Sequence, residues 1–227
     1  MSNNEKKELL KEAIIKILSG IILLGVLLFL PAGDLHWRNG WLLMAILFVP
    51  MFAAGIIMLI KAPGLLKSRL RAKESQGEQK EVIALSGLMF IAAFVLAGLT
   101  YRFRWMQLPE TVIWAAVVVF LLAYCLFGEV LRENRYLSRV IEVQEDQTVV
   151  DTGLYGIVRH PMYSATVLLF LSMPLVLGSL PSFVIMLAYI PIIAKRIRNE
   201  EMVLEKELKG YTEYKRKVRY RLIPFIW

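Results

Sequence analysis

The chain has 227 residues, 57% of them hydrophobic, and a mean hydropathy of +0.56, too apolar for an ordinary water-soluble domain. Its net charge of +8 would suit nucleic acid. However, the apolar residues fall in long blocks with the cations between them, a pattern that a membrane explains without a nucleic-acid partner. One cysteine, Cys125, and two histidines exclude an internal disulfide and leave no Cys/His set for zinc.

In chain order the apolar blocks are 13–31, 40–60, 83–101, 111–130 and 163–194. Each of the first four has about the 20 residues a bilayer-spanning helix needs. The first is too long for a signal peptide, lacks a small-residue cleavage site and is followed at once by a second span, so it is expected to stay as a helix. The fourth ends in GEVLRENRYLSRVIEVQEDQ, which is expected to continue helically beyond the membrane. The fifth block contains Gly178-Ser179-Leu180-Pro181, a turn that splits it into a hairpin. Its second arm, FVIMLAYIPIIA, stops at Lys195 and is barely long enough to cross. Pro191 is expected to kink it.

The expected architecture is an all-α integral membrane protein with about six transmembrane helices. Residues 1–132 supply four spans. Residues 133–227 supply the hairpin and a cytoplasmic C-terminal segment. Of the 27 Lys and Arg residues, 24 fall in the N-terminal segment, the 61–81 and 131–160 loops and the segment from Lys195 onward. Only Arg38, Arg102 and Arg104 fall in the opposite loops. The positive-inside rule then places both termini in the cytoplasm; in a bacterium the membrane would be the cytoplasmic one.

Dense polar chemistry is confined to the last 100 residues. In RHPMY, Pro161 suits the first position of a helix, and His160 before it is pushed out of helical geometry into the cap. A helix start offers unpaired N–H groups and a partial positive charge, and Arg159 and His160 add donors there. The set suits a carboxylate or phosphate, although lipid phosphate and simple capping would use the same residues. In RIRNEEMVLEKEL, Arg196 and Glu200 lie four apart on one helix face, with Glu201 beside them. Paired carboxylates one turn past a span suit an amino group or hydroxyls of a ligand, and equally a solvated face of ordinary ion pairs. Tyr211, Tyr214 and Trp227 among cations read as an interfacial anchor. The DTG at 151–153 lacks the strand-rich surroundings of an aspartic protease. There is no Walker loop and no GxGxxG after a strand. The spans hold almost no charge and show no broken helices in matching halves, unlike a transporter.

Taken together, DTGLYGIVRHPMYSATVLL, a turn glycine, and RIRNEEMVLEKELKGYTEYKRKVRYRLIP resemble the isoprenylcysteine carboxyl methyltransferase and phospholipid methyltransferase superfamily. The matching positions are Gly153 and Tyr155, Arg159 to Pro161 with Tyr163, Gly178, Arg196 with Glu200 and Glu201, Tyr211 with Tyr214, and Pro224. The resemblance covers about the last 100 residues. It implies S-adenosylmethionine held without a nucleotide-binding sheet domain. Gly153, Tyr155, Arg159, His160, Pro161, Tyr163, Glu200 and Glu201 are the implied cofactor site, and Arg196, Glu201 and Arg159 the implied catalytic set. Arg196, Arg159 or Arg139 would orient an acceptor carboxylate. The implied acceptor is a lipophilic or prenylated molecule entering from the membrane lipid, with isoprenylcysteine-type carboxyl methylation favoured because the phospholipid branch's glycine-x-glycine element is absent. Methylation of a phosphatidylethanolamine amine or a small thiol stays open. So do an NADPH-dependent sterol-reductase-like enzyme and a membrane protein without activity.

Overall fold

A computed structural model describes residues 3–70, 77–138, 141 and 143–227. The helices are α1 (Asn3–Ala32), α2 (Arg38–Lys61), α3 (Pro63–Leu70), α4 (Gly77–Phe103), α5 (Glu110–Glu133), α6 (Pro161–Val176), α7 (Leu180–Met186), α8 (Tyr189–Glu207) and α9 (Tyr211–Lys217). A single 3₁₀ turn, Gly153–Gly156, precedes α6. Among the described residues there is no β-strand; one isolated bridge joins Gln107 and Ser179. The all-α membrane architecture expected from the hydropathy pattern is present.

The bundle has two ends. At one, the loops 33–37, 104–109 and 177–179 meet. Leu108 N donates to Gly178 O at 3.0 Å, Tyr101 Oη to Asp34 Oδ2 at 2.7 Å, and Ser179 Oγ to Thr100 Oγ1 at 2.9 Å. Gly178 turns with φ +74° while Asn39 and Ile113 crowd the place of a side chain. This is the hairpin turn expected at Gly178–Pro181. Ser179 then caps α7, its hydroxyl accepting from Ser182 N at 3.2 Å.

Between the ends the core is layered. Leu28, Leu43, Phe120 and Val176 are fully buried where α1, α2, α5 and α6 meet. Toward the other end Ala93 of α4, Met186 of α7, and Ile193 and Ile197 of α8 close on Tyr163 and on Leu222 of the C-terminal segment. Outward positions such as Ile22, Leu30, Val49, Ile60 and Leu122 are apolar and exposed, as suits a surface solvated by lipid.

Among the described residues, five helical stretches are long and apolar enough to cross a membrane: Asn4–Ala32, Arg38–Lys61, Lys80–Phe103, Glu110–Glu133 and the joined Leu180–Glu207. The last is apolar only up to Ala194, and we read the turns from Lys195 onward as lying outside the membrane. The hairpin arms differ from expectation. The first arm, α6, is the short one, with 16 residues, about 24 Å at 1.5 Å per residue against the ~30 Å of a bilayer core. The second arm is long because helix continues through the polar RIRNEE run. Pro191 breaks it locally. It has no N–H for Leu187 O, and Ile190 N fills that carbonyl at 3.1 Å in a tighter 3₁₀ turn.

The helical continuation expected beyond the fourth block is absent, because α5 ends at Glu133. Asn134 ends it. Its Oδ1 accepts from Tyr136 N at 2.9 Å and its Nδ2 donates to Tyr155 Oη at 3.0 Å, local bonds that compete with the helical ladder. The chain from 134 to 152 is then irregular where described. Arg139 lies outside the described residues.

Candidate functional site

The site is assembled at the end opposite the Gly178 turn, where α6 begins. His160 is the N-cap residue (φ −126°, ψ 61°) with Pro161 at the first helical position, as the sequence predicts, but its side chain makes no cap bond. The backbone there is paired with the C-terminal segment instead. Arg159 N donates to Tyr220 O and His160 N to Arg221 O, both at 2.9 Å.

A buried ionic hub ties these pieces together. Glu201 of α8 is 3% exposed. Its Oε1 accepts from Arg159 Nε at 2.7 Å and lies 3.3 Å from His160 Nε2; its Oε2 accepts from Arg221 Nε at 3.0 Å. Arg159 spends further donors on Val218 O and Arg219 O at 2.7 and 2.8 Å. Burial pushes the Glu201 carboxyl up, but hydrogen bonds and charge from His160 and Arg159 outweigh it and hold the pKa at about 2. The carboxyl is therefore ionised at neutral pH, and three segments distant in sequence meet at it.

Glu200, one residue earlier, points elsewhere. It accepts a short hydrogen bond from Tyr163 Oη and lies 4.0 Å from His160 Nδ1. Arg196 Nε donates to the same Tyr163 oxygen at 2.9 Å, so the tyrosine bridges the i, i+4 pair. His160 stacks on Tyr163 with ring centroids 5.7 Å apart.

Tyr163, Glu200, Arg196, His160 and Arg159 form the polar corner of a cavity enclosing about 830 Å³, its open mouth included, within the usual range of small-molecule sites. Residues 134, 136–138, 141 and 147–150, with Tyr155, Leu204, Leu208, Tyr211 and Tyr214, supply the remaining walls. A second, more apolar groove of about 1100 Å³, open mouth included, runs between α4, α6 and α8. Val82, Ile83, Phe90, Phe170, Ile192 and Ile193 line it, with Arg69 at its rim. Ser138, Met162, Tyr163 and Arg196 border both spaces.

The sequence-derived candidates thus separate into two groups. Tyr155, Arg159, His160, Tyr163, Arg196 and Glu200 border the cavity. Glu201 lies behind that wall in the hub. Pro161 is buried in the first turn of α6. Gly153 is also behind the wall: at φ +55° its Cα abuts the Glu133 carboxylate, which a Cβ would overlap, and that carboxylate accepts from Leu154 N at 3.0 and 3.2 Å. Gly153 lets Glu133 cap the turn that carries Tyr155. Four residues that the motif reading left outside the site prove to shape it. These are Arg221 in the hub, Asn134 and Arg69 at the walls, and Tyr211, read above as an anchor. The three-residue spacing of Tyr211 and Tyr214 was the available signal, since it places both on one face of a short helix.

Residues 112–206 match the isoprenylcysteine carboxyl methyltransferase (ICMT) family. This stretch is similar to that methyltransferase family. The matched segment runs from α5 through nearly all of α8 and contains every candidate residue inferred above, but it stops short of Tyr211, Tyr214 and Arg221, which complete the site. The match and the apolar helices together place a methyltransferase-like segment in a chain built of membrane-spanning helices. A Delta(14)-sterol reductase, TM7SF2 of Mus musculus, is 30% identical over 79 residues, 34% of this chain and 19% of the reductase. The similarity to that relative therefore spans about a fifth of its length.

Proposed function

We propose that the protein transfers a methyl group from S-adenosylmethionine to a lipophilic acceptor, an isoprenylcysteine-type carboxylate being the favoured class. The observation that carries this reading is the shared wall. A more polar cavity and a more apolar groove meet at Tyr163 and Arg196, which suits two reactants of opposite solubility.

The cavity residues fit the cofactor chemically. Glu200, 23% exposed at its side chain, is an anion for an ammonium group. His160, Arg159 and the start of α6 offer donors and positive potential for a carboxylate. When bound, the cofactor would supply an electrophilic methyl on a sulfonium. The chain's task is then alignment and exclusion of water rather than strong base catalysis. Arg196 orients the acceptor's anionic head at the junction, with Arg69 nearby, donating to Met162 Sδ at 3.5 Å. Tyr163 fixes Arg196 and Glu200 relative to one another through its single hydroxyl. Glu201 acts at one remove, holding Arg159, His160 and the C-terminal segment in place. Gly153, Tyr155 and Pro161 set the backbone on which the cavity is built. A carboxylate acceptor needs no proton removed, and no acidic side chain borders the groove among the described residues. An amine acceptor would need a base there, which places phosphatidylethanolamine second and a small thiol third. The cation-rich end that carries the site faces the cytoplasm on this reading.

The test is calorimetric titration of the detergent-purified protein with S-adenosylhomocysteine and, separately, with NADPH. Saturable binding of the homocysteine derivative alone is the expected result. Binding of NADPH alone would overturn the reading and move the chain toward the reductase it partly resembles.

A further inference from the structure

Two buried side-chain polar groups lack a hydrogen-bond partner among the described residues, Asn199 Nδ2 and Tyr211 Oη. Only Tyr211 borders the cavity. It is 4% exposed and packs with Leu208, Tyr214 and Val218, with Val149 and Leu204 at the margin. Its neighbour on the same face of α9 differs in one respect: Tyr214 Oη donates to Tyr155 O at 2.8 Å. The two rings lie 5.7 Å apart, share their surroundings and differ in whether the hydroxyl is satisfied. A buried hydroxyl without a partner costs free energy that folding alone does not recover.

We propose that the Tyr211 hydroxyl is a ligand-reading donor reserved for the bound cofactor. This rests on the reading of the cavity as the cofactor site. The cavity is polar where Arg159, His160, Arg196 and Glu200 gather, and that corner suits an amino-acid moiety. Val149, Leu204 and Leu208 add apolar faces to the lining, and Tyr211, within electrostatic reach of Glu201, Glu200 and Arg159, brings an uncommitted donor to it. Burial pushes both phenols above the usual tyrosine range, so each hydroxyl keeps its proton to donate. Tyr211 lies beyond the segment matched by the methyltransferase family, and neither the cofactor set nor the catalytic set implied by the resemblance includes it.

The test pairs Y211F with Y214F, each measured for melting temperature without ligand and for S-adenosylhomocysteine affinity by calorimetry. Y211F removes a donor that nothing in the free protein uses. Its melting temperature should equal or exceed that of the wild type while affinity falls roughly three- to tenfold, the worth of one neutral hydrogen bond. Y214F breaks a made bond and should lower the melting temperature of the free protein. Unchanged affinity in Y211F, with the wild type binding normally, overturns the role of Tyr211 and leaves the cofactor reading intact. A Y211F protein that melts lower than the wild type also overturns it, by showing the hydroxyl at work in the free fold. A wild type that does not bind S-adenosylhomocysteine overturns both.

Discussion

Replacing Glu201 by glutamine should unfold the site end of the molecule long before it alters any ligand contact. The substitution keeps the shape of the side chain and removes one charge. The carboxylate is 3% exposed and sits between Arg159 at 2.7 Å, Arg221 at 3.0 Å and His160 at 3.3 Å. A glutamine can accept from one guanidinium, but its amide then turns N–H groups toward the other. The depression of the carboxyl from 4.5 to about 2 corresponds, at about 1.4 kcal/mol per unit, to roughly 3 kcal/mol favouring the ionised form. Breaking a buried pair by removing one partner costs about the same, roughly 3–5 kcal/mol. For a chain of this length about 3 kcal/mol lowers the melting temperature by roughly 6–12 °C. Thermal unfolding in one fixed detergent, followed by circular dichroism, measures it. A melting temperature within about 2 °C of the wild type would refute the reasoning, because the hub would then contribute nothing net.

The same carboxyl sets an acid limit. It titrates near 2 when folded and near 4.5 as an ordinary glutamate, so its contribution is present above about pH 4.5 and is lost as pH falls toward 2; a pH series of melting temperatures should show E201Q losing less over that window than the wild type. E200Q should behave in the opposite way to E201Q, keeping its melting temperature within a few degrees while S-adenosylhomocysteine binding weakens by tenfold or more in calorimetry. G153A should lower the melting temperature by several degrees, since any side chain meets the Glu133 carboxylate at a positive φ. Adding E133A to G153A should recover part of that loss in the same scan, and no recovery would mean that the collision is not the cause.

The first four membrane helices were plain in the sequence because each is a single apolar run of about the length a bilayer needs, and a run of that length has few other uses. The RHP start of α6 was also legible: proline fixes its own φ and disfavours helix in the residue before it, whatever the rest of the chain does. The end of α5 was not. Its continuation reads as helix by composition, and only Asn134's bonds to Tyr136 N and Tyr155 Oη, 21 residues away in the second case, stop it. Adjacent Glu200 and Glu201 look interchangeable in a sequence. They sit about 100° apart on α8, so one meets the cavity and its neighbour meets Arg159 and Arg221. Which is which depends on the rotation of the helix, and that is fixed by Ile193 and Ile197 packing under it. The part played by Arg221 depends on the C-terminal segment folding back along α6, a long-range pairing that no local pattern encodes.

On the proposed function, the wall shared by the two cavities at Tyr163 and Arg196 has a consequence for how rates must be measured. A reactant in the aqueous cavity is counted per volume of water, but one in the lipid-facing groove is counted per area of bilayer. Apparent saturation by the acceptor should therefore follow its mole fraction in the surrounding lipid or detergent. Adding inert detergent at constant total acceptor would slow the reaction by surface dilution, while adding buffer to preformed vesicles would leave that half of the kinetics unchanged.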